Sequence, residues 1–231
     1  GYLVRDDNMK PLYMIGCINE IGERQKADNI SGLLGETGFR QYMDQQDTPL
    51  ETGYLLRIGI DHFKEINDNF GQEYGDFVLR KTADCISSCI SEAQKVYKLV
   101  ADEFLIMDVS SDEVRDAEKL YNKMREEIGR FIEANEFKVM YTVSGGIVPF
   151  GTLGGDQYSE ALKLTDFALN EAKKLGRNRC YIYNEETYRR FLRKREITQE
   201  LRDAVNNGFQ GFTAFYQPVF AEDKKVPYGA E

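Results

Sequence analysis

The chain has 231 residues, 42% of them hydrophobic and 30% charged, with a formal net charge of −9. That apolar content suffices for one ample core or two small ones, and the acidic balance argues against a nucleic-acid-binding surface, which is normally a basic patch. No apolar run approaches the length of a membrane span and the opening residues lack the layout of a secretory signal, while Gly1 in place of an initiator methionine leads us to expect a piece of a longer protein.

In chain order, residues 2–4 and 12–18 read as strands around a polar turn at Asp6-Asp7-Asn8. Asp28 opens a predicted helix to about Gln46, with Leu33, Leu34, Phe39 and Tyr42 or Met43 near helical period. A strand over 54–60 breaks into a polar loop where carboxylates, an amide and a lysine converge. A helix over about 73–90 carries Leu79, Ala83, Ile86 and Ile90 on one stripe. Strands at 95–99 and 104–109 are joined by a tight turn at Val100-Ala101-Asp102-Glu103. Ser110 and Glu113 make a capping-box start for a long helix to about Asn135. Residues 138–148 are strand-like, with Gly145-Gly146 marking a bulge or a close backbone approach. A helix over about 158–175 ends at Gly176, and 180–183 is a short strand. Asn184 caps a strongly charged helix through about Asn206, whose thin apolar stripe (Phe191, Ile197, Leu201) suits a connector. This order predicts an α+β fold, a largely antiparallel sheet with helices packed over it. Of the four cysteines, Cys85 and Cys89 share a helix face and read as buried core thiols rather than metal ligands. Such sparse cysteine usage fits a reducing cytosol, so a cytoplasmic location is expected.

The segment after the strand at 54–60 is the most informative: Gly59-Ile60-Asp61-His62-Phe63-Lys64-Glu65-Ile66-Asn67-Asp68. It resembles the GGDEF family, the diguanylate cyclases, whose members usually read Asp-x-Asp-x-Phe-Lys-x-Ile-Asn-Asp here. Asp28-Asn29-Ile30-Ser31-Gly32-Leu33, Val100-Ala101-Asp102-Glu103-Phe104 and Lys173-Lys174-Leu175-Gly176-Arg177-Asn178 extend the resemblance over roughly 28–183. It implies the palm-like (ferredoxin-like) fold of nucleotide cyclases and the joining of two GTP molecules into cyclic di-GMP. That nucleotidyl transfer builds charge on phosphoryl oxygens, so it wants divalent cations and a well-held pose. By the resemblance, the metal ligands fall at Gly59, at Asp102 and at the backbone carbonyl of Ile60. Gly59 has no ligand atom, and Asp61 stands about 6–7 Å further along the strand. The signature turn supplies Asp102 and Glu103 as catalytic candidates, but Val100 and Ala101 replace its glycines. Val100 is β-branched and poorly suited to positive φ. An impaired turn and an incomplete metal site, with Mg²⁺ weakly held or absent, are therefore expected.

The resemblance further implies that Asn67 and Asp76 read guanine and that Lys64, Lys173 and Arg177 meet phosphates. Taken alone, Asn67 reads sooner as a turn cap and Asp76 as a solvated carboxylate, and the basic residues can be a solvated helix end that complements the helix dipole. His62 is expected at a loop or edge rather than as a base. Ser91-Glu92-Ala93-Gln94 stands where family members carry an Arg-x-x-Asp product site, so product feedback there is not expected.

Residues 1–27 resemble the tail of a PAS sensor domain with its connector, and 28–184 a GGDEF-like domain. Residues 185–208 would be a connector helix. The stretch 209–231, with Phe215-Tyr216-Gln217-Pro218 and a closing Tyr228-Gly229-Ala230-Glu231, resembles the truncated start of an EAL phosphodiesterase domain. The expected function is a catalytically inactive domain that binds GTP and regulates a downstream EAL phosphodiesterase. Two alternatives stand beside it. One is a working homodimeric cyclase in which Asp61 or Glu103 substitutes as a metal ligand; the other is a structural or dimerisation module without nucleotide.

Overall fold

The computed structural model describes residues 2–5, 11–15, 27–111, 113–134, 137–220, 226–227 and 229–230. They divide into two compact units, residues 1–183 and 184–231. In the first unit, strands β1 (Tyr2–Arg5) and β2 (Pro11–Ile15) pair antiparallel as the hairpin expected from sequence. Cys17 and the predicted connector at 19–26 lie outside the described residues.

The body of this unit is a six-stranded sheet. Its elements run β3 (Leu34–Gly35), α1 (Glu36–Asp44), β4 (Tyr54–Ile60), α2 (Phe63–Phe70), α3 (Gln72–Cys89), β5 (Gln94–Lys98), β6 (Glu103–Asp108), α4 (Val114–Ala134), β7 (Val143–Pro149), α5 (Gln157–Lys174) and β8 (Cys180–Ile182). The spatial order is β3-β5-β6-β4-β7-β8. The three central pairings are antiparallel, while the edge pairs β3–β5 and β7–β8 are parallel. The sheet is thus mixed, α+β as expected.

All seven residues of β4 are buried, because successive side chains alternate between two covered faces. Tyr54, Leu56, Ile58 and Ile60 join a core with Val78, Leu79 and Ile86 of α3 and Leu120, Met124 and Ile128 of α4. Leu55 of β4, with Leu105 and Met107 of β6, packs on the other face with Phe39 and Met43 of α1 and Ala161 of α5. Leu55, Arg57 and Gly59 therefore point toward the α1/α5 layer. Cys85 and Cys89 are buried in the α3/α4 layer, as the pattern predicts.

Four expectations need correction. The first helix starts at Glu36, because Asp28 Oδ1 accepts from the amides of Ile30 and Ser31 and from the Ser31 hydroxyl. That turn, followed by Gly32 at φ 73°, diverts the chain into β3 before a helix can nucleate. The polar loop after β4 contains the helix α2, hidden from pattern reading because Ile66 is its only buried residue. Ser110 does not cap α4: its hydroxyl donates to Asp108, and Ser111 accepts from the Glu113 amide instead. Strand β7 begins only at Val143, five residues later than predicted.

Gly145 and Gly146 mark close approach rather than a bulge, since the β4–β7 register is unbroken. A Cβ on Gly145 would meet the Tyr121 ring at 2.8 Å, and one on Gly146 would lie 2.8 Å from the Ala168 carbonyl carbon. Helix α5 is thereby seated directly on β7, which sets where its C-terminal end reaches β4.

In the second unit, Asn184 accepts from the Thr187 amide at 2.9 Å and caps α6 (Glu185–Asn206), as predicted. Ile197, Leu201 and Val205 are exposed along it. Short strands β9 (Pro218–Val219) and β10 (Gly229–Ala230) pair antiparallel. Among the described residues, no helix is long and apolar enough to cross a membrane.

Candidate functional site

The ends of β4 and β6 create the site. Gly59 pairs with Glu103 across the antiparallel ladder, and the Ile60 amide donates to the Asp102 carbonyl at 3.4 Å. Residues 100–103 turn the chain between β5 and β6, closed by the Glu103 amide on the Val100 carbonyl at 3.2 Å. Positive φ falls on Ala101, at 52°, and not on Val100, which projects into solvent. The conformational burden at this turn is therefore on the second of the two substituted positions. Lys98, the last residue of β5, is buried. Its ammonium donates to the carbonyls of Leu99 and Ala101 and lies 5.2 Å from the centre of the Phe104 ring. Burial pushes its pKa down, against the attraction of Asp28, Asp102 and Glu103. Sequence reasoning missed this lysine; the signal was a cation at a strand end flanked directly by Tyr97 and Leu99, both core residues.

A cavity of about 480 Å³ opens beside the turn, lined by Phe63, Lys64, Asn67, Asp76, Ala101 and Asp102 among others. Helix α2 brings Lys64 and Asn67, α3 brings Asp76, and the turn brings Asp102. The volume lies within the usual range for small-molecule sites. Asn67 packs over Gly75, whose absent Cβ would lie 2.9 Å from the amide carbon. Its Oδ1 is buried with no hydrogen-bond partner among the described residues. An orphaned buried acceptor costs roughly 1–3 kcal/mol unless a ligand supplies a donor. Burial raises the pKa of Asp102, and Lys173 opposes that shift.

Lys173 comes from the last turn of α5. Its Nζ lies 3.0 Å, and Leu169 Cδ2 3.2 Å, from where a Cβ on Gly59 would stand. After α5, Gly176 at φ 116° and the Arg177 amide on the Ala172 carbonyl reverse the chain. Arg177 and Asn178 then hold left-handed conformations at φ 59° and 48°. This places Arg177 on an exposed turn outside the cavity lining.

Asp61 and Glu103, the two substitutes considered for the missing ligand, are both engaged elsewhere. Asp61 is buried and accepts from the hydroxyls of Thr142 and Ser144 at 2.7 Å each and from the Asn178 amide at 3.2 Å. It ties the Gly176–Asn178 turn to β7. Glu103 accepts from Arg57 Nε at 2.7 Å and from a second guanidinium nitrogen. Arg57 also donates to the Leu162 carbonyl and lies 3.6 Å from Asp166. An arginine inside an otherwise apolar strand needs such a partner, and that was the readable signal. His62 sits at the N-terminal end of α2 at φ 58°, with Nδ1 2.6 Å from Glu65, away from Asp102 and its cavity lining. Among the described residues, no three histidine, cysteine or carboxylate side chains cluster as metal ligands.

The profile of the family described as "Diguanylate cyclase, GGDEF domain" matches residues 25–179. The chain belongs to the GGDEF family. Over 208 residues it is 27% identical to the cyclic di-GMP phosphodiesterase NbdA of Pseudomonas aeruginosa, covering 86% of this chain and 26% of that protein. Over 145 residues it is 31% identical to the diguanylate cyclase DosC of Escherichia coli, covering 62% of this chain and 30% of that one. The chain thus spans between a quarter and a third of the length of these relatives. Its fold is similar to that of the GGDEF domain of DgcB from Caulobacter crescentus, solved with c-di-GMP, at a TM-score of 0.59 and 23% identity over 68% of this chain and 95% of that one. The GGDEF domain of PA1120 (TpbB or YfiN) from Pseudomonas aeruginosa gives 0.61 and 22%, over 72% and 99%. At these identities the structural likeness speaks for the fold alone.

Proposed function

We propose that this GGDEF domain binds GTP without turning it over, and that nucleotide occupancy regulates an EAL phosphodiesterase that follows it. The observation that carries the reading is selective loss. Gly59 brings no carboxylate to the end of β4, while Lys64, Asn67, Asp76 and Asp102 still line one cavity. Asn67 and Asp76 suit the donor-rich edge of guanine, and both line the cavity. The remaining donors fit a catalytic magnesium site poorly: Gly59 offers no ligand atom, and Asp61 and Glu103 are committed to other partners. The same domain divisions accompany this reading: a PAS-like tail at 1–27, the GGDEF domain at 28–184, a connector helix at 185–208 and the start of an EAL domain at 209–231. The match to a phosphodiesterase over 208 residues, longer than the family domain itself, supports that arrangement. In this scheme the protein is cytoplasmic or the cytoplasmic part of a larger one.

Calorimetric titration with GTP and ATP tests the reading. GTP is expected to bind in preference to ATP, and Asp76→Ala to remove the preference. Equal affinity of the wild-type chain for the two nucleotides would reject it.

The 31% identity to DosC favours a second reading, a working cyclase acting as a homodimer. Incubation with GTP and Mg²⁺ or Mn²⁺ decides between them, because cyclic di-GMP would accumulate only under the second.

A further inference from the structure

Helix α2 has a cavity on each of two faces. Phe63, Lys64 and Asn67 line the one beside the signature turn. Glu65, Ile66 and Phe70, which the helical repeat turns the other way, line a second of about 380 Å³, with His62 at the entry to the helix. The far wall of this second cavity is the stretch 139–142 that leads into β7. Its volume is again that of a small-molecule site.

The surface there is apolar, and its fixed charge is of one sign. Phe70 and Met140, both in the lining, are 41% and 70% exposed, large apolar groups left open to solvent. Asp61, itself only 3% exposed, and Glu65 bring two carboxylates, and neither lysine nor arginine is among the lining residues. Lys138, next in sequence to the far wall, is drawn instead to Tyr74, with Nζ 5.9 Å from the centre of that ring. Asp61 accepts three hydrogen bonds, one short of the roughly four acceptor positions of a carboxylate. Exposed aromatic and thioether surface beside two carboxylates complements a cation carried on an apolar body. The body covers Phe70 and Met140, while the charge meets the carboxylates and the face of a ring.

We propose that this cavity binds a small organic cation, a primary amine on an aromatic body. The same two carboxylates disfavour anions, so its ligand is opposite in charge to a nucleotide. Binding here is independent of whether the cavity across α2 takes GTP.

The test compares tryptamine with its neutral and anionic analogues, 3-ethylindole and indole-3-propionate. The chain contains no tryptophan, so indole fluorescence belongs to the probe, and its anisotropy reports binding to the whole chain. At about pH 8, where an ordinary imidazole is neutral, tryptamine is expected to bind with a Kd of about 1 mM or tighter. 3-Ethylindole is expected to bind about fivefold or more weakly, and indole-3-propionate not to saturate. Glu65→Gln should weaken tryptamine about threefold, as suits an exposed ion pair, and leave 3-ethylindole unchanged. Phe70→Ala should weaken both. Glu73→Gln removes an exposed charge of α3 outside the lining and should change neither, which separates this cavity from the net charge of −9. The proposal is overturned if tryptamine fails to bind, binds no tighter than 3-ethylindole, ignores Glu65→Gln or Phe70→Ala, or loses as much affinity on Glu73→Gln as on Glu65→Gln.

Discussion

At the signature turn a single dihedral angle carries the consequence of a glycine lost. Ala101 holds φ at 52°, a conformation that costs an L-residue roughly 1–2 kcal/mol. Lys98 holds the turn in place from beneath through two carbonyls. Replacing Ala101 with glycine relieves the strain but adds freedom to the unfolded chain. A net stabilisation of up to about 1 kcal/mol is expected, read as a higher Tm. Val100→Gly, at an exposed position without positive φ, is expected to lower it slightly; the opposite ranking would show that the burden lies on Val100. Asp61 illustrates a second residue-scale effect. Asp61→Ala strips acceptors from Thr142, Ser144 and the Asn178 amide, so a loss of about 2–3 kcal/mol in urea unfolding is expected. A change below 0.5 kcal/mol would mean those groups find water instead.

At the scale of elements, the placement of α5 governs what reaches the strand end. Its backbone lies against Gly146, and its last turn carries Lys173 to Gly59. Gly146→Val would force the helix off β7, and a core overpacked in this way loses about 1–3 kcal/mol or more. The expected signature is a lowered Tm together with weakened GTP binding. Unchanged binding in a destabilised variant would show that the position of α5 is not needed at the site. The glycine pair was legible in the sequence as a bulge or a close approach, but which of the two, and which element approached it, was not. Helix α2 was not legible at all, because one buried Ile66 among polar neighbours leaves no periodic stripe. Nor was β3, since two residues carry no pattern and a parallel edge pairing with β5 is set from across the chain.

For the molecule as a whole, acid should weaken the fold through carboxylates held as acceptors. Burial works to raise the pKa of Asp108, but hydrogen bonds from Ser110, Gln94 and Tyr54 outweigh it and keep it below the usual carboxylate value. Asp28 is likewise lowered, its bonds from Ser31 and Ile30 outweighing burial. A depressed folded pKa contributes stability that is present above the unfolded value near 3.8 and is lost as pH falls through the folded one. Tm followed from pH 6 to pH 3 should therefore fall, and Asp108→Asn should flatten the slope; an equal slope in that variant would remove Asp108 from the account. The motif around Gly59, the turn at residues 100–103 and the Lys173–Arg177 segment were enough to identify the family and the α+β class, because residue type and spacing are local properties of the chain. They also set the expectation that a metal ligand is missing at Gly59. What stands against Gly59, and which neighbouring carboxylates were already committed to Arg57 or to the hydroxyls of Thr142 and Ser144, depended on contacts across β4, β6, β7 and α5. Those contacts join residues 46 to 117 positions apart, Arg57 with Glu103 at one end and Asp61 with Asn178 at the other, and only close packing of the folded sheet against its helices sets their distances.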